Sequence, residues 1–235
     1  MSVLLLQLAG PLQAWGSSAR FARRTTEPAP TKSGVLGLLA AALGRPRTAD
    51  PSDLAALRFG VRIDQRGTPL RDFQTAHDLD TGDAFPISER FYLADAVFVA
   101  ALQGPHQQLF ELLQALRQPV YLPYLGRRSC PPSRPIELSL QEDLELQAAL
   151  EAETWRASQW HQWRRRDEPR VTLELLIEPD GETGRVDLLR DQPLSFDPAH
   201  RRYAFRGVRS STATVPNPCA PQPLAHDPTS ALRSQ

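Results

Sequence analysis

Val3 to Leu8 is a short, nearly unbroken apolar run, the length of a buried strand rather than a helix, and Gly10-Pro11 ends it. Ser33 to Leu43 then reads as a helix of small and apolar residues. Thr31 or Ser33 can cap it, Gly44 stops it and Pro46 lies beyond. A short helix follows at Ser52 to Leu57. Phe59 to Asp64 alternates apolar and polar positions, the pattern of a half-buried strand. Ala96 to Leu102 is apolar throughout, as a buried strand is. From Pro105 and His106 to about Arg117, Leu109, Leu112, Leu113 and Leu116 recur at helical spacing. Ile136 to Leu140 alternates again.

One segment breaks this rhythm. Arg71 to Leu93 starts with R-D-F and ends with E-R-F-Y-L, around a polar, acidic, turn-rich middle at Ala76 to Asp83. Two extended arms with a flexible tip predict a projecting hairpin; a structureless surface loop is the other reading, and the aromatics at both ends argue against it. The element order is then β-α-β, hairpin, β-α-β. That predicts an α+β fold: a ferredoxin-like (RRM-like) palm over residues 1–140, with a β-hairpin thumb inserted at about 70–94. Domains of this plan commonly turn the free face of the sheet to RNA. Glu142 to Trp163 is helix-compatible. Val171 to Ile177 and Arg185 to Leu189 read as a strand pair about the Asp180-Gly181 turn, and Tyr203 to Val208 as a last strand. Residues 141–210 thus form a C-terminal β-rich elaboration, and 211–235, with few large apolar groups, a disordered tail.

The chain has 235 residues, enough for one large domain, and 27 basic residues balance 27 acidic ones. A free-standing nucleic-acid binder is usually basic overall, so any basic surface here must be local. All basic residues but Lys32 are arginines. Arginine suits phosphate and base stacking better than lysine does, although codon bias accounts for much of the excess. Two distant cysteines, Cys130 and Cys219, make neither a metal-ligand spacing nor a disulfide framework. The first apolar run is too short for a signal peptide, and no run is long enough to cross a bilayer. The expectation is a cytoplasmic protein without membrane, metal or cofactor.

The basic positions that change this picture cluster. Arg20, Arg23, Arg24 and Lys32 lie with Trp15 and Phe21 just before the first helix, whose N-terminus offers free N–H groups to an anion. In PVYLPYLGRRSCP, Tyr124 offers an aromatic face and Gly126 a close backbone approach. Arg127, Arg128 and Ser129 add donors suited to phosphate. Trp155, Trp160 and Trp163 precede Arg164-Arg165-Arg166; they stack on bases or pack the helix, and the helical spacing favours packing. The five histidines are scattered, and no catalytic acid–base arrangement stands out. A binding protein is the reading. A metal-independent RNA endonuclease is the alternative, and a purely bridging structural protein is a third.

L-x-L-A-G-P-x-Q-A-W-G followed by P-T-K-S-G-V-L-G-L-L-A-A-A-L-G, the block Pro119 to Pro131, and the segment Arg71 to Leu93 together resemble the CasD-type, RAMP-superfamily subunit of the type I-E CRISPR surveillance complex Cascade. The resemblance implies a non-catalytic subunit that binds and caps the 5′ handle of the CRISPR RNA. It would link the backbone and large subunits of the ribonucleoprotein in antiviral defence, and meet target DNA only through the complex. It implies palm contacts to RNA from Gln13, Trp15, Thr31, Lys32, Ser33, Tyr124, Gly126, Arg127, Arg128 and Ser129. Arg20 and Arg24 join them from the basic loop. Arg71, Arg90 and Tyr92 would contact RNA from the thumb. A related subunit in another CRISPR subtype cleaves precursor RNA, which keeps the endonuclease alternative in view.

Overall fold

The computed structural model describes residues 1–16, 23–181 and 185–221. Its first half runs β1 (Ser2–Ala9), β2 (Leu12–Gln13), β3 (Arg23–Arg24), α1 (Lys32–Ala42), α2 (Ser52–Ala55), β4 (Arg58–Gln65), β5 (Thr68–Gln74), β6 (Ser88–Ala94) and β7 (Val97–Gly104). Then come α3 (His106–Arg117), β8 (Glu137–Glu142), α4 (Leu146–Ala152), α5 (Gln159–Arg164), β9 (Arg170–Ile177), β10 (Asp187–Ser195) and β11 (Arg202–Pro216). Seven strands form one sheet in the order β10-β11-β9-β4-β7-β1-β8, and every pairing in it is antiparallel.

The apolar runs have a direct cause. Every residue of β1 and β7 is buried, because both faces of the sheet are covered. Leu4, Leu6 and Leu8 point to one side and pack with Phe98, Phe59 and the inner faces of α1 and α3. Val3 and Leu5 point to the other and pack with Val99, Leu175 and Ile177 against Leu146, Ala149 and Leu150 of α4. A strand buried on both sides loses the alternation of a one-sided strand. The structure therefore corrects one expectation: α4 occupies the sheet face that an RRM-like domain would offer to RNA.

Residues 142–163 do not form one helix. Arg62, fully buried on β4, donates from Nη1 to the carbonyls of Leu150 and Glu153 and from Nη2 to that of Thr154, each at 2.6 Å. These bonds take the last carbonyls of α4 and turn the chain. Asp64 holds Arg62 through both carboxylate oxygens, at 2.7 and 3.0 Å, and accepts from Arg156 N as well. Trp155 is buried, with Nε1 donating to the Asp64 carbonyl, so it packs. Trp160 and Trp163 are half-exposed on α5.

The C-terminal strands also differ from expectation. β9 and β10 are not partners: β11 lies between them, pairing β10 with Arg202 to Val208 and β9 with Arg209 to Pro216. β11 thus runs through residues 211–216, which the sequence places in a tail; residues 222–235 lie outside the described residues. The elaboration extends the main sheet beyond β4 rather than forming a layer of its own.

β5 and β6 form an antiparallel hairpin from Thr68↔Ala94 to Gln74↔Ser88. The other edge of β6 takes β2 near its C-terminal end and β3, in parallel, near its N-terminal end. The hairpin is thereby fastened to the residues on either side of 17–22.

Candidate nucleic-acid interface

The N-terminus of α1 forms as its sequence requires. Thr31 caps it, accepting from Gly34 N at 3.3 Å. It is nonetheless not an open anion seat. Asp191 of β10, fully buried, accepts from Lys32 N at 2.7 Å, so the protein's own carboxylate fills the position a phosphate would take. Lys32 Nζ lies 2.9 Å from Glu178. Burial pushes the Lys32 ammonium below its ordinary range, opposed by the Glu178 carboxylate. Arg206 of β11 closes the network, bonding Asp191 through Nε at 2.8 Å and Nη2 at 2.7 Å. Thr31, Lys32 and Ser33 are buried, and Lys32 joins α1 to the C-terminal strands.

Gln13 and Trp15 are also held inside the protein. Both have 0 % exposure. Gln13 Nε2 donates to the carbonyls of Leu8 and Ala96, and its Oε1 accepts from Trp15 Nε1 at 3.0 Å. Trp15 lies against α1 where a side chain on Gly34 would sit, 2.8 Å from Cε3. The Q-A-W-G and K-S-G motifs are two halves of one packed joint. Arg20 lies outside the described residues.

The loop from Pro119 to Pro131 docks on this joint. Its start closes the C-terminal end of α1, with Val120 N donating to Ala42 O and Tyr121 N to Ala41 O. Its middle binds residue 14, Ala14 N donating to Leu125 O at 3.1 Å. Gly126 has φ +83°, and a Cβ there would stand 1.7 Å from the Ala14 carbonyl oxygen. The loop's packing on residue 14 therefore requires a glycine here. Leu125 N donates to Cys130 O and Cys130 N to Arg127 O, a tight turn that leaves Arg128 and Ser129 exposed. Burial pushes the Cys130 thiol upward.

Beside that turn the chain gathers positive charge. Arg90 and Tyr92 share one face of β6, as alternate strand residues do. The Arg127 guanidinium lies over the Tyr92 ring, 4.7 Å from its centroid, and donates through Nη2 to Arg24 O at 2.8 Å. Arg24 pairs in register with Arg90. Tyr92 itself is buried, so its part is to support Arg127. Arg90 Nε and Arg127 Nη1 are buried and have no acceptor among the described residues, an arrangement that costs free energy unless an acceptor arrives. The opposite face of the hairpin is neutralised. Arg71 and Arg23 both reach Glu89, and they lie over Phe73 and Phe91 respectively. Arg71 therefore stands apart from the cluster.

Tyr124, Gly126 and Arg128 line a groove of about 720 Å³ along the outer face of α1. Its far wall, from Phe196, Arg201 and Tyr203, escaped the sequence reading. The basic-aromatic run H-R-R-Y-A-F at His200 to Phe205 was the available signal. Among the described residues no three or more His, Cys, Asp and Glu side chains gather as metal ligands. No described helix is long and apolar enough to cross a membrane.

A mixed α+β protein with a large antiparallel sheet and a one-sided arginine cluster defines a class that comparison with known proteins makes specific. The family model described as CRISPR-associated protein (Cas_Cas5) matches residues 3–209, and the chain belongs to that family. Within it, the chain is similar to the CRISPR system Cascade subunit CasD of Escherichia coli (strain K12): 40% identity over 171 residues, covering 63% of this chain and 75% of the relative. It resembles a chain of a solved CRISPR RNA-guided surveillance complex at 32% identity and a TM-score of 0.74, covering 95% of each chain. It also resembles a crystal structure of a Cas protein at 39% identity and a TM-score of 0.69, covering 94% of this chain and 98% of the other.

Proposed function

We propose that this chain is a non-catalytic subunit of a CRISPR RNA-guided surveillance complex that holds the 5′ handle of the guide RNA. The observation that carries the reading is the pair of buried, acceptorless donors Arg90 Nε and Arg127 Nη1 beside Arg24. Donors in that state suit an anionic oxygen, and guanidinium suits phosphate in particular. On this reading, residues 1–140 are a ferredoxin-like palm, since β8-β1-β7-β4 lie in that order with α1 and α3 as crossovers. The β5–β6 hairpin is the thumb, and the strands after 141 are an elaboration on the same sheet. Exposed Leu79, Phe85 and Ile87 toward the hairpin tip support docking on a neighbouring backbone subunit. The large subunit and, through the complex, target DNA are the other partners, in the cytoplasm.

The groups an endonuclease would need are engaged elsewhere. Lys32 is held by Glu178, Tyr92 lies under Arg127, and His77 is out in the hairpin loop. This supports a holding role over cleavage, with acid–base groups worth about 10²–10⁴-fold in rate. The test is the double variant Arg90→Ala/Arg127→Ala, titrated with labelled handle RNA at several salt concentrations in EDTA. Loss of two phosphate contacts should weaken binding and lower the salt slope by about 1.4, at ~0.7 per single-strand contact. Unchanged affinity and slope would refute the assignment, and a discrete cleavage product at the handle boundary would restore the nuclease alternative.

A further inference from the structure

We propose that the hollow between Asp95 and the indole of Trp160 is a seat for one arginine side chain presented by a partner protein. It requires only that the chain is a subunit of a larger assembly, as proposed above, and is independent of where the guide RNA lies. Three neighbouring strands, β1, β7 and β4, contribute Ala9, Val97 and Gln65 to the hollow, and α5 contributes Trp160. Its volume of about 280 Å³ falls just short of the ~300–1,000 Å³ of small-molecule sites and suits a single side chain.

Three observations identify the occupant. The first is hydrogen-bonding polarity. Ser158 Oγ donates to Gln65 Oε1 at 2.7 Å, Ser133 Oγ to Ala9 O at 3.2 Å, and Gln65 Nε2 to Asp95 O at 2.6 Å. The backbone N–H groups of Asp95, Ser133 and Ser158 are spent too, on Pro11 O, Ala9 O and Gln65 Oε1. What these groups still offer are lone pairs, which suit a donor-rich cation and repel a phosphate.

The second is the Asp95 carboxylate. Asp95 has φ +55°, and bonds to Pro11 O and from Gln65 Nε2 lock its backbone in that left-handed conformation. The side chain has no hydrogen bond or ion pair among the described residues. Arg134, the cation of the lining, is exposed and makes no ion pair with it.

The third is the placing of the indoles. Trp160 and Trp163 are 50% and 58% exposed. α5 buries none of its residues and is fixed by polar bonds instead, from Asn217 Nδ2 to the carbonyls of Gln162 and Arg165 and from Gln162 Nε2 to Trp155 O. A helix held in this way, with two tryptophans outward, has the composition of an interface anchor. Arg164 lies over the Trp160 ring at 5.8 Å, near the outer limit of such contacts, so the indole is not closed off. A guanidinium lies flat on an indole and forks on to a carboxylate, whereas a lysine ammonium offers only a point charge.

The experiment labels the full chain with fluorotryptophan and follows fluorine NMR, with the Trp160 signal assigned by its loss in Trp160→Phe. The probes are N-acetyl-arginine amide, its lysine counterpart and its uncharged citrulline counterpart. The arginine probe should shift the Trp160 signal with a Kd on the order of 1 mM, the lysine probe should bind several-fold more weakly, and the citrulline probe about tenfold more weakly or not at all. Asp95→Asn, which keeps a residue suited to positive φ, should weaken the arginine probe about two- to fivefold. In the reconstituted complex, Asp95→Asn with Trp160→Ala should let the chain wash off at lower salt than wild type. An unmoved Trp160 signal, equal binding of the arginine and citrulline probes, or unchanged retention of the double variant would overturn the assignment. Arg90→Ala/Arg127→Ala should bind the arginine probe as wild type does, so a failure here and a failure of the RNA-holding role are read separately.

Discussion

Replacing Asp191 with alanine should unlock the C-terminal strands from α1. The Asp191 carboxylate is fully buried and accepts three N–H groups: Lys32 N at 2.7 Å, Arg206 Nε at 2.8 Å and Arg206 Nη2 at 2.7 Å. Without it, Arg206 keeps, among the described residues, Glu178 at 3.4 Å and the face of Phe59, and its Nη1 has no acceptor among them. Lys32 N, at the start of α1, also loses its partner. Leaving a buried charge uncompensated costs about 3–5 kcal/mol. In a domain of this length each kcal/mol lowers Tm by about 2–4 °C, so the loss is roughly 6–20 °C. Asp191→Asn keeps one acceptor and should fall between wild type and alanine. The comparison is Asp53→Ala, which breaks the half-exposed Arg45 pair and should cost no more than about 1 kcal/mol. Urea denaturation and thermal melting of the three variants decide. If Asp191→Ala loses no more stability than Asp53→Ala, the network does not hold the strands to α1.

Further outcomes follow from single residues. Gly37→Ala should raise stability by up to about 1 kcal/mol, since its Cβ meets nothing, a rise visible in Tm. Gly126→Ala should cost about 2 kcal/mol or more, from its positive φ and from collision with the Ala14 carbonyl. His161 sits edge-on between Trp155 and Trp160, and burial, aided by the charges of Arg165 and Arg164, holds its imidazole below the ordinary 6.5. The unfolded chain therefore takes up this proton more readily than the folded one, and stability declines as pH falls through 6.5 toward the folded value. His161→Gln should flatten that part of the curve in urea denaturation at stepped pH; a curve that keeps its wild-type slope would show that His161 does not contribute.

The local elements were legible in the sequence because local rules fix them. The apolar runs of β1 and β7, the Thr31 cap and the two-armed segment around residue 80 each carry their own signal. The long-range pairings carried none. Lys32 and the N-terminus of α1 look like a phosphate seat until Glu178 and Asp191, far along the chain, are folded on to them. Arg62 and Asp64 read as the outward positions of an alternating strand, yet both are buried and hold α4. Gln13 and Trp15 lie in a distinctive motif that proves to be packing. The second half of β11 reads as a tail because its inward residues are small, Ala213 and Val215 between serines and threonines.

The most direct test of the central claim is photocrosslinking in the reconstituted complex, with 4-thiouridine placed at successive positions of the guide's 5′ handle and the adducts located by mass spectrometry. The account predicts adducts in the loop from Pro119 to Pro131, at the base of the hairpin around Arg90, and in the segment from Phe196 to Tyr203. Adducts confined to α4 and α5, or none on this chain while the handle crosslinks to another subunit, would contradict it.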